Sequence, residues 1–156
     1  MIKIRKATKQ DRETLCNIDV LAIRELGKIH YSEIELNTWL KNLSPARYQH
    51  SIANLHTIVA ELDSKIIGFA VLNQITGKIT AIYVEPQYAR QGVGTKILKA
   101  LISESRKLGL NSLHCDASLS AAEFYKSIGF QAGEKCKHKF SNGIEIDCIP
   151  MIKIIR

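Results

Sequence analysis

Ile82-Tyr83-Val84-Glu85-Pro86-Gln87-Tyr88-Ala89-Arg90-Gln91-Gly92-Val93-Gly94-Thr95 is the stretch around which the rest of the chain organises itself. A strand ends, a loop turns, and two glycines open a helix. The unpaired N–H groups and the positive dipole end at a helix start attract an anion. Gly92 and Gly94 carry no side chain, so a phosphate can come close to the backbone, and Arg90 adds a full positive charge beside them. The pattern suits a phosphate or pyrophosphate. It is not a Walker A loop, because GxxxxGK followed by Ser or Thr is absent, and the third glycine of a dinucleotide fingerprint is missing.

Working outward, the sequence before this stretch predicts a strand over 2–7 and a helix from 11 to about 28, with Leu15, Ile18, Ala22, Leu26 and Ile29 on one face. Ser32-Glu33-Ile34-Glu35 has a capping-box pattern and starts a second helix. Ser44-Pro45 opens a short third one. Strands follow over 56–62 and 66–72, divided by a hairpin-like break at 63–65, and then over 78–84.

Beyond the stretch, a long helix is predicted from Gly92 to Gly109, with Val93, Ile97, Leu98, Leu101, Ile102 and Leu108 as its apolar stripe. A strand over 113–117, a short helix from 120 to 129, and closing strands over 130–140 and 144–155 complete the chain, with Asn142-Gly143 as a hairpin signal between the last two. Hairpins together with strand–helix–strand crossovers predict an α+β domain with a mixed sheet, and 156 residues fit a single domain over 1–156.

A second segment, Asp116-Ala117-Ser118-Leu119-Ser120-Ala121-Ala122-Glu123-Phe124-Tyr125-Lys126-Ser127-Ile128-Gly129-Phe130, gives the first its meaning. Taken in order, the two resemble the GCN5-related N-acetyltransferase (GNAT) family. That family has an Arg/Gln-x-x-Gly-x-Gly/Ala pyrophosphate loop opening a long helix, then a strand and a helix with the pattern NxxAxxFYxxxGF. Gly92-Val93-Gly94 supplies the first motif, and Ala121, Phe124-Tyr125 and Gly129-Phe130 the second. The Tyr31 to Trp39 helix pair and Ile82-Tyr83-Val84 further resemble a bacterial branch of small uncharacterised acetyltransferases. Two positions depart from the family. Ala89 stands where Arg or Gln is usual, and Ser118 where Asn is usual, so side-chain contacts to the cofactor are fewer while the backbone donors remain.

The resemblance implies a mostly antiparallel, mixed sheet of about seven strands flanked by helices, with the fourth and fifth strands splayed. It implies acetyl-CoA as cofactor, no metal, and direct attack by an amine in a ternary complex. Cofactor contacts then fall to Ile82, Tyr83, Val84, Ala89, Arg90, Gln91, Gly92, Val93, Gly94, Thr95, Ser118, Ala121 and Tyr125. The N–H of Ile82 matches the donor to the thioester carbonyl, and Tyr125 the general acid that protonates the departing thiolate. The acceptor, a small-molecule or protein amine, lies against Tyr31, Glu35 and Trp39; Glu33 and the segment from His30 share that side.

The resemblance leaves the general base open. Lys78 occupies the position where some relatives carry Glu; Glu61, Glu85 and Asp116 are the carboxylates nearby, with His30, His114 and Tyr83 as weaker alternatives. The alternative to an enzyme is a CoA-binding regulatory module without catalysis.

Charge and composition set bounds without choosing. A net charge of +7 favours anionic partners, but the basic residues are scattered, with only a loose knot at Lys135, Lys137 and Lys139, which counts against nucleic acid. No apolar run approaches a membrane span and the N-terminus lacks a signal-peptide pattern, so the expectation is a cytoplasmic protein without a membrane partner. Cys16, Cys115, Cys136 and Cys148 form no CxxC or zinc pattern and read as reduced thiols. Homodimers are common in such folds, and the sequence leaves that open.

Overall fold

The computed structural model describes all residues from Met1 to Arg156. Its strands are β1 (Lys3–Lys6), β2 (His56–Leu62), β3 (Lys65–Asn73), β4 (Lys78–Val84), β5 (Ser112–Ser118), β6 (Gln131–Ala132), β7 (Cys136–Lys139) and β8 (Glu145–Ile154). Its helices are α1 (Arg12–Gly27), α2 (Glu33–Leu40), α3 (Pro45–Asn54), α4 (Val93–Lys107) and α5 (Ala122–Ser127). One eight-stranded sheet runs β1-β2-β3-β4-β5-β8-β6, with β7 also on β8. Every pairing is antiparallel except β4 with β5. No helix is long and apolar enough to cross a membrane.

Helices cover both faces of the sheet. On one side α4 sets Ile97, Leu98 and Leu101 against Ile58, Ala60, Ile67 and Ala70. On the other, Leu15 and Ile18 of α1 and Tyr48 of α3 meet Val59, Phe69 and Val71. That is why β3 is a continuous apolar run: a strand buried on both faces has no polar side to show. The α1 stripe is shorter than its periodicity predicts. Leu15, Ile18 and Ala22 are buried, whereas Leu26, in the last turn, is 42% exposed and Ile29, beyond the helix end at Gly27, is 82% exposed.

The sheet has eight strands, one more than expected. The predicted strand over 130–140 is two short pieces, β6 and β7, and Pro150 of β8 accounts for the gap. Its carbonyl accepts from Gly133 N at 2.8 Å, so its N-side faces the same neighbour, and there proline has no N–H to give. The β2–β3 turn is confined to Asp63 and Ser64, both left-handed at φ 49° and 66°, the hand that a two-residue hairpin needs.

Candidate active site

The site begins where the sheet fails to close. β4 and β5 share a single register pair, Lys78 with His114, held by His114 N to Gly77 O at 3.0 Å. A bulge follows at once. Leu72 pairs with Ile79 and Val71 with Ala81, leaving Thr80 as the extra residue that bends β4 away from β5. Past this point the direction of each backbone group can be read from alternation. Glu85 N donates to Ile67 O on β3 at 2.8 Å. Tyr83 and Ala81 therefore also turn their backbone groups to β3, and Ile82 and Val84 turn theirs into the gap. A row of unpaired strand donors is a template for an extended, amide-bearing ligand.

A second set of donors lies at the start of α4. Pro86–Tyr88 make one 3-10 turn, Arg90 is left-handed at φ 64°, and Gly92 at φ 83° is the helix N-cap. No side chain caps the helix, and the N–H groups of Gly92, Val93, Gly94 and Thr95 find no acceptor within the chain. A Cβ on Gly92 would meet nothing within 4 Å, so the cradle is open; one on Gly94 would stand 3.3 Å from Phe124 of α5. Free amides around a positive φ, next to Arg90, fit the pyrophosphate of a coenzyme A molecule, and the Ile82 and Val84 groups fit its amide-rich arm. Not every predicted loop contact points outward. Ala89 N is bonded to Pro86 O, Gln91 Nε2 to Gln87 O, and the Val93 side chain is buried in the core.

Across the gap, Ala121 N donates to Ser118 O at 3.0 Å and starts α5 directly after β5. This short connection carries Tyr125 beneath the gap, 4% exposed, with its ring edge-on to Phe124 and Phe130. Its hydroxyl adjoins the Cys115 thiol. Burial, reinforced by Cys115, pushes the Tyr125 phenol well above its ordinary range. Burial likewise pushes the Cys115 thiol up to about 12, so it stays protonated and inert.

On the other face of β4 lies a cavity of about 420 Å³ bounded by Asp19 of α1, Trp39 of α2, Tyr48 of α3, Ala81 and Tyr83 of β4, and Asp116 of β5, the side where the acceptor was expected. Of the three residues expected here, Trp39 lines it. Tyr31 is buried beside Trp39, ring centroids 5.5 Å apart, and its hydroxyl is occupied: it donates to Asp147 O at 2.8 Å and accepts from Leu119 N at 2.9 Å. Glu35 closes the capping box of α2, accepting from Ser32 N at 2.9 Å while Glu35 N donates to Ser32 Oγ at 3.2 Å.

The candidate bases are dispersed. Glu61 accepts from Arg5 Nε at 2.7 Å, Glu85 pairs with Lys65 at 3.1 Å, and Asp116, on the cavity wall, pairs with Lys78 at 3.4 Å. His30 is exposed and His114 half-buried. The carboxylate that sequence reasoning missed is Asp19. Its signal was there: it occupies the inner face of α1 with Leu15, Ile18, Ala22 and Ile23, the one charge at those apolar spacings. Burial pushes its carboxyl up to about 6, against the opposing pull of the Tyr48 hydroxyl and the Arg47 charge.

A sheet that parts at a bulge, with free strand amides on one side and an uncapped glycine-opened helix beside it, defines a protein of the acyl-CoA transferase class. The comparisons agree. The model of the acetyltransferase (GNAT) domain matches residues 28–155. The N-acetyltransferase YafP of Escherichia coli is 30% identical over 130 residues, covering 83% of this chain and 81% of its own. The structure of a GCN5-related N-acetyltransferase from Rhodopseudomonas palustris superposes with a TM-score of 0.91 at 28% identity over 97% of this chain and 94% of that one. The fold is also that of the PaiA N-acetyltransferase from Thermoplasma acidophilum, solved with coenzyme A, at TM-score 0.80, 23% identity and 99% of each chain. The chain belongs to the GNAT family and is an acetyl-CoA-dependent acetyltransferase.

Proposed function

We propose that residues 1–156 act as one N-acetyltransferase domain that transfers the acetyl group of acetyl-CoA to an amine held in the same complex. The observation that carries this reading is the pair of facing donor sets, Ile82 and Val84 along the β4 edge and Gly92 to Thr95 at the start of α4, none of whose N–H groups has an acceptor in β5 or in the loop. Acetyl-CoA supplies an activated thioester. The chain supplies the rest. The amides of Gly92 to Thr95, with Arg90, hold phosphate oxygens, and Val84 pairs with the extended arm.

The N–H of Ile82 donates to the carbonyl oxygen on which negative charge develops, a role for which one fixed donor contributes roughly 3–4 kcal/mol. The Tyr125 hydroxyl gives its proton to the departing sulfur. Its burial keeps the phenol protonated through the whole working pH range but makes it a reluctant acid, so its contribution is a moderate one. The acceptor occupies the cavity beside Trp39 on the opposite face of β4. The four free cysteines suit a reducing compartment, and we place the protein in the cytoplasm.

Calorimetric titration with acetyl-CoA tests the cofactor half of this reading. Binding by the wild type that collapses in Gly92→Glu, which puts a carboxylate where the phosphates belong, is the expected result. Equal binding by both proteins would overturn it.

A further inference from the structure

Asp19, on the wall of the acceptor-side cavity, holds one oxygen that the chain leaves without a partner. Asp19 is 3% exposed; its Oδ2 accepts from the Tyr48 hydroxyl, and its Oδ1 has no hydrogen-bond partner. Buried polar atoms in folded proteins are almost always bonded, and a buried carboxylate oxygen without a donor is costly. The groups that face Asp19 do not supply one. They are Cys16 on its own helix, Arg47 and Tyr48 from α3 and Tyr83 from β4. Tyr48 is committed to Oδ2, and Arg47 stands on the exposed rim without reaching Oδ1.

Oδ1 is closed to solvent in this structure, so a donor from the cavity reaches it once the Asp19 side chain turns toward that space, and a cationic donor gains most. Trp39, Leu55, Val71 and Ala81 form the apolar part of the remaining wall, and His50, Thr80 and Asp116 the polar part, with Asp116 already paired to Lys78 at 3.4 Å. A volume of about 420 Å³ suits a small molecule rather than a peptide segment. The cavity floor includes Ala81, one peptide from the free N–H of Ile82, so an occupant of this cavity borders the gap between β4 and β5.

We propose that this cavity is the acceptor pocket, that it takes a small primary amine with a compact apolar body, and that Asp19 receives the amine as its ammonium ion and then takes its proton. The proposal rests on the acetyltransferase reading above. In the transfer, one N–H bond of the ammonium breaks as an Oδ1–H bond forms; the freed electron pair makes the C–N bond, the C–S bond breaks, the sulfur leaves as the thiol with the Tyr125 proton, and the second proton shed by nitrogen restores that of Tyr125 through solvent. Asp19 suits both tasks, being ionised at neutral pH and yet, through burial, a better proton acceptor than an ordinary carboxylate. Tyr48 holds the carboxylate in place through the second oxygen.

The test is calorimetry with coenzyme A present at saturation, using phenethylamine and its uncharged analogue 2-phenylethanol. The amine should bind the wild type much more tightly than the alcohol does. Asp19→Asn, which keeps the shape and removes the charge, should weaken the amine roughly 30-fold or more and leave the alcohol and coenzyme A unaffected. Tyr48→Phe keeps the charge but removes a donor that lowers Asp19, so the amine should still bind, and the acid limb of kcat/KM should move to higher pH. Amine affinity unchanged in Asp19→Asn, or an acid limb that stays put in Tyr48→Phe, would overturn the proposal; if Asp19→Asn does not fold, the Tyr48→Phe profile decides alone. Acetyl-CoA that fails to bind the wild type would instead bring down the acetyltransferase reading itself.

Discussion

Replacing Asp19 by Asn should stabilise the protein at neutral pH while it impairs acceptor binding. An ordinary aspartate loses its proton near 3.8, but in the fold Asp19 holds it to about 6. Between those values the unfolded chain releases a proton that the folded chain must keep, so stability falls as pH rises, and above pH 6 the full cost is present. Two pH units at about 1.4 kcal/mol each set that cost near 3 kcal/mol. Asn carries no such cost and can still accept from Tyr48. Urea denaturation of both proteins between pH 4 and pH 7.5 measures the difference. The curves should nearly coincide at pH 4 and separate by about 3 kcal/mol at pH 7.5, equivalent to roughly 10 °C in Tm for a chain of this size. A constant difference across that range, or one that shrinks as pH rises, would refute the reasoning. A residue whose removal stabilises the fold and damages binding is retained for function, not for structure.

Three further substitutions probe the other parts of the site. Tyr125→Phe should preserve the packing against Phe124 and Phe130 and lower kcat by about 10²-fold, with acetyl-CoA affinity little changed; steady-state kinetics in both substrates checks this, and an unaltered kcat removes Tyr125 from the proton path. Gly92→Ala should cost only about 1–2 kcal/mol, the strain of a left-handed alanine with open space around its methyl group, and keep measurable acetyl-CoA binding, whereas Gly92→Glu should lose that binding at similar stability; thermal denaturation beside calorimetry separates the two effects. Tyr31→Phe should destabilise the fold by about 2 kcal/mol, because Asp147 O and Leu119 N lose their shared partner; a fully stable variant with raised acceptor KM would show instead that the hydroxyl serves the ligand.

The order of elements was legible in the sequence because each one carries its own local signal. Period and punctuation mark α4 between Gly92 and Gly109; the capping box marks α2; the apolar run marks β3. The gap between β4 and β5 was legible only through family resemblance. Its physical cause, the extra residue at Thr80, is a register relation with β3 that one strand's own sequence does not express. The split of the last hairpin was missed for a related reason, since Pro150 interrupts the partner strand and not the segment that breaks.

Among site residues, the glycines were readable because their function is to lack a side chain. Tyr31 and Glu35 were expected to face a ligand, yet the Tyr31 hydroxyl and the Glu35 carboxylate are engaged by partners that local pattern could reveal only for Glu35, whose Ser32 lies three residues away. Asp19 went unnoticed although a lone carboxylate in an apolar helical face is a readable anomaly. Its meaning depends on Tyr48, which is distant in sequence and meets it only in the fold.

Release of free thiol from acetyl-CoA shows whether this site moves acetyl groups onto amines. Purified protein is incubated with acetyl-CoA and a panel of primary amines, and the coenzyme A thiol is followed by colour. Release should saturate, require an amine, fall sharply in Gly92→Glu and fall about 10²-fold in Tyr125→Phe. Tight binding of acetyl-CoA with no amine-dependent release from any member of the panel would contradict transfer to amines.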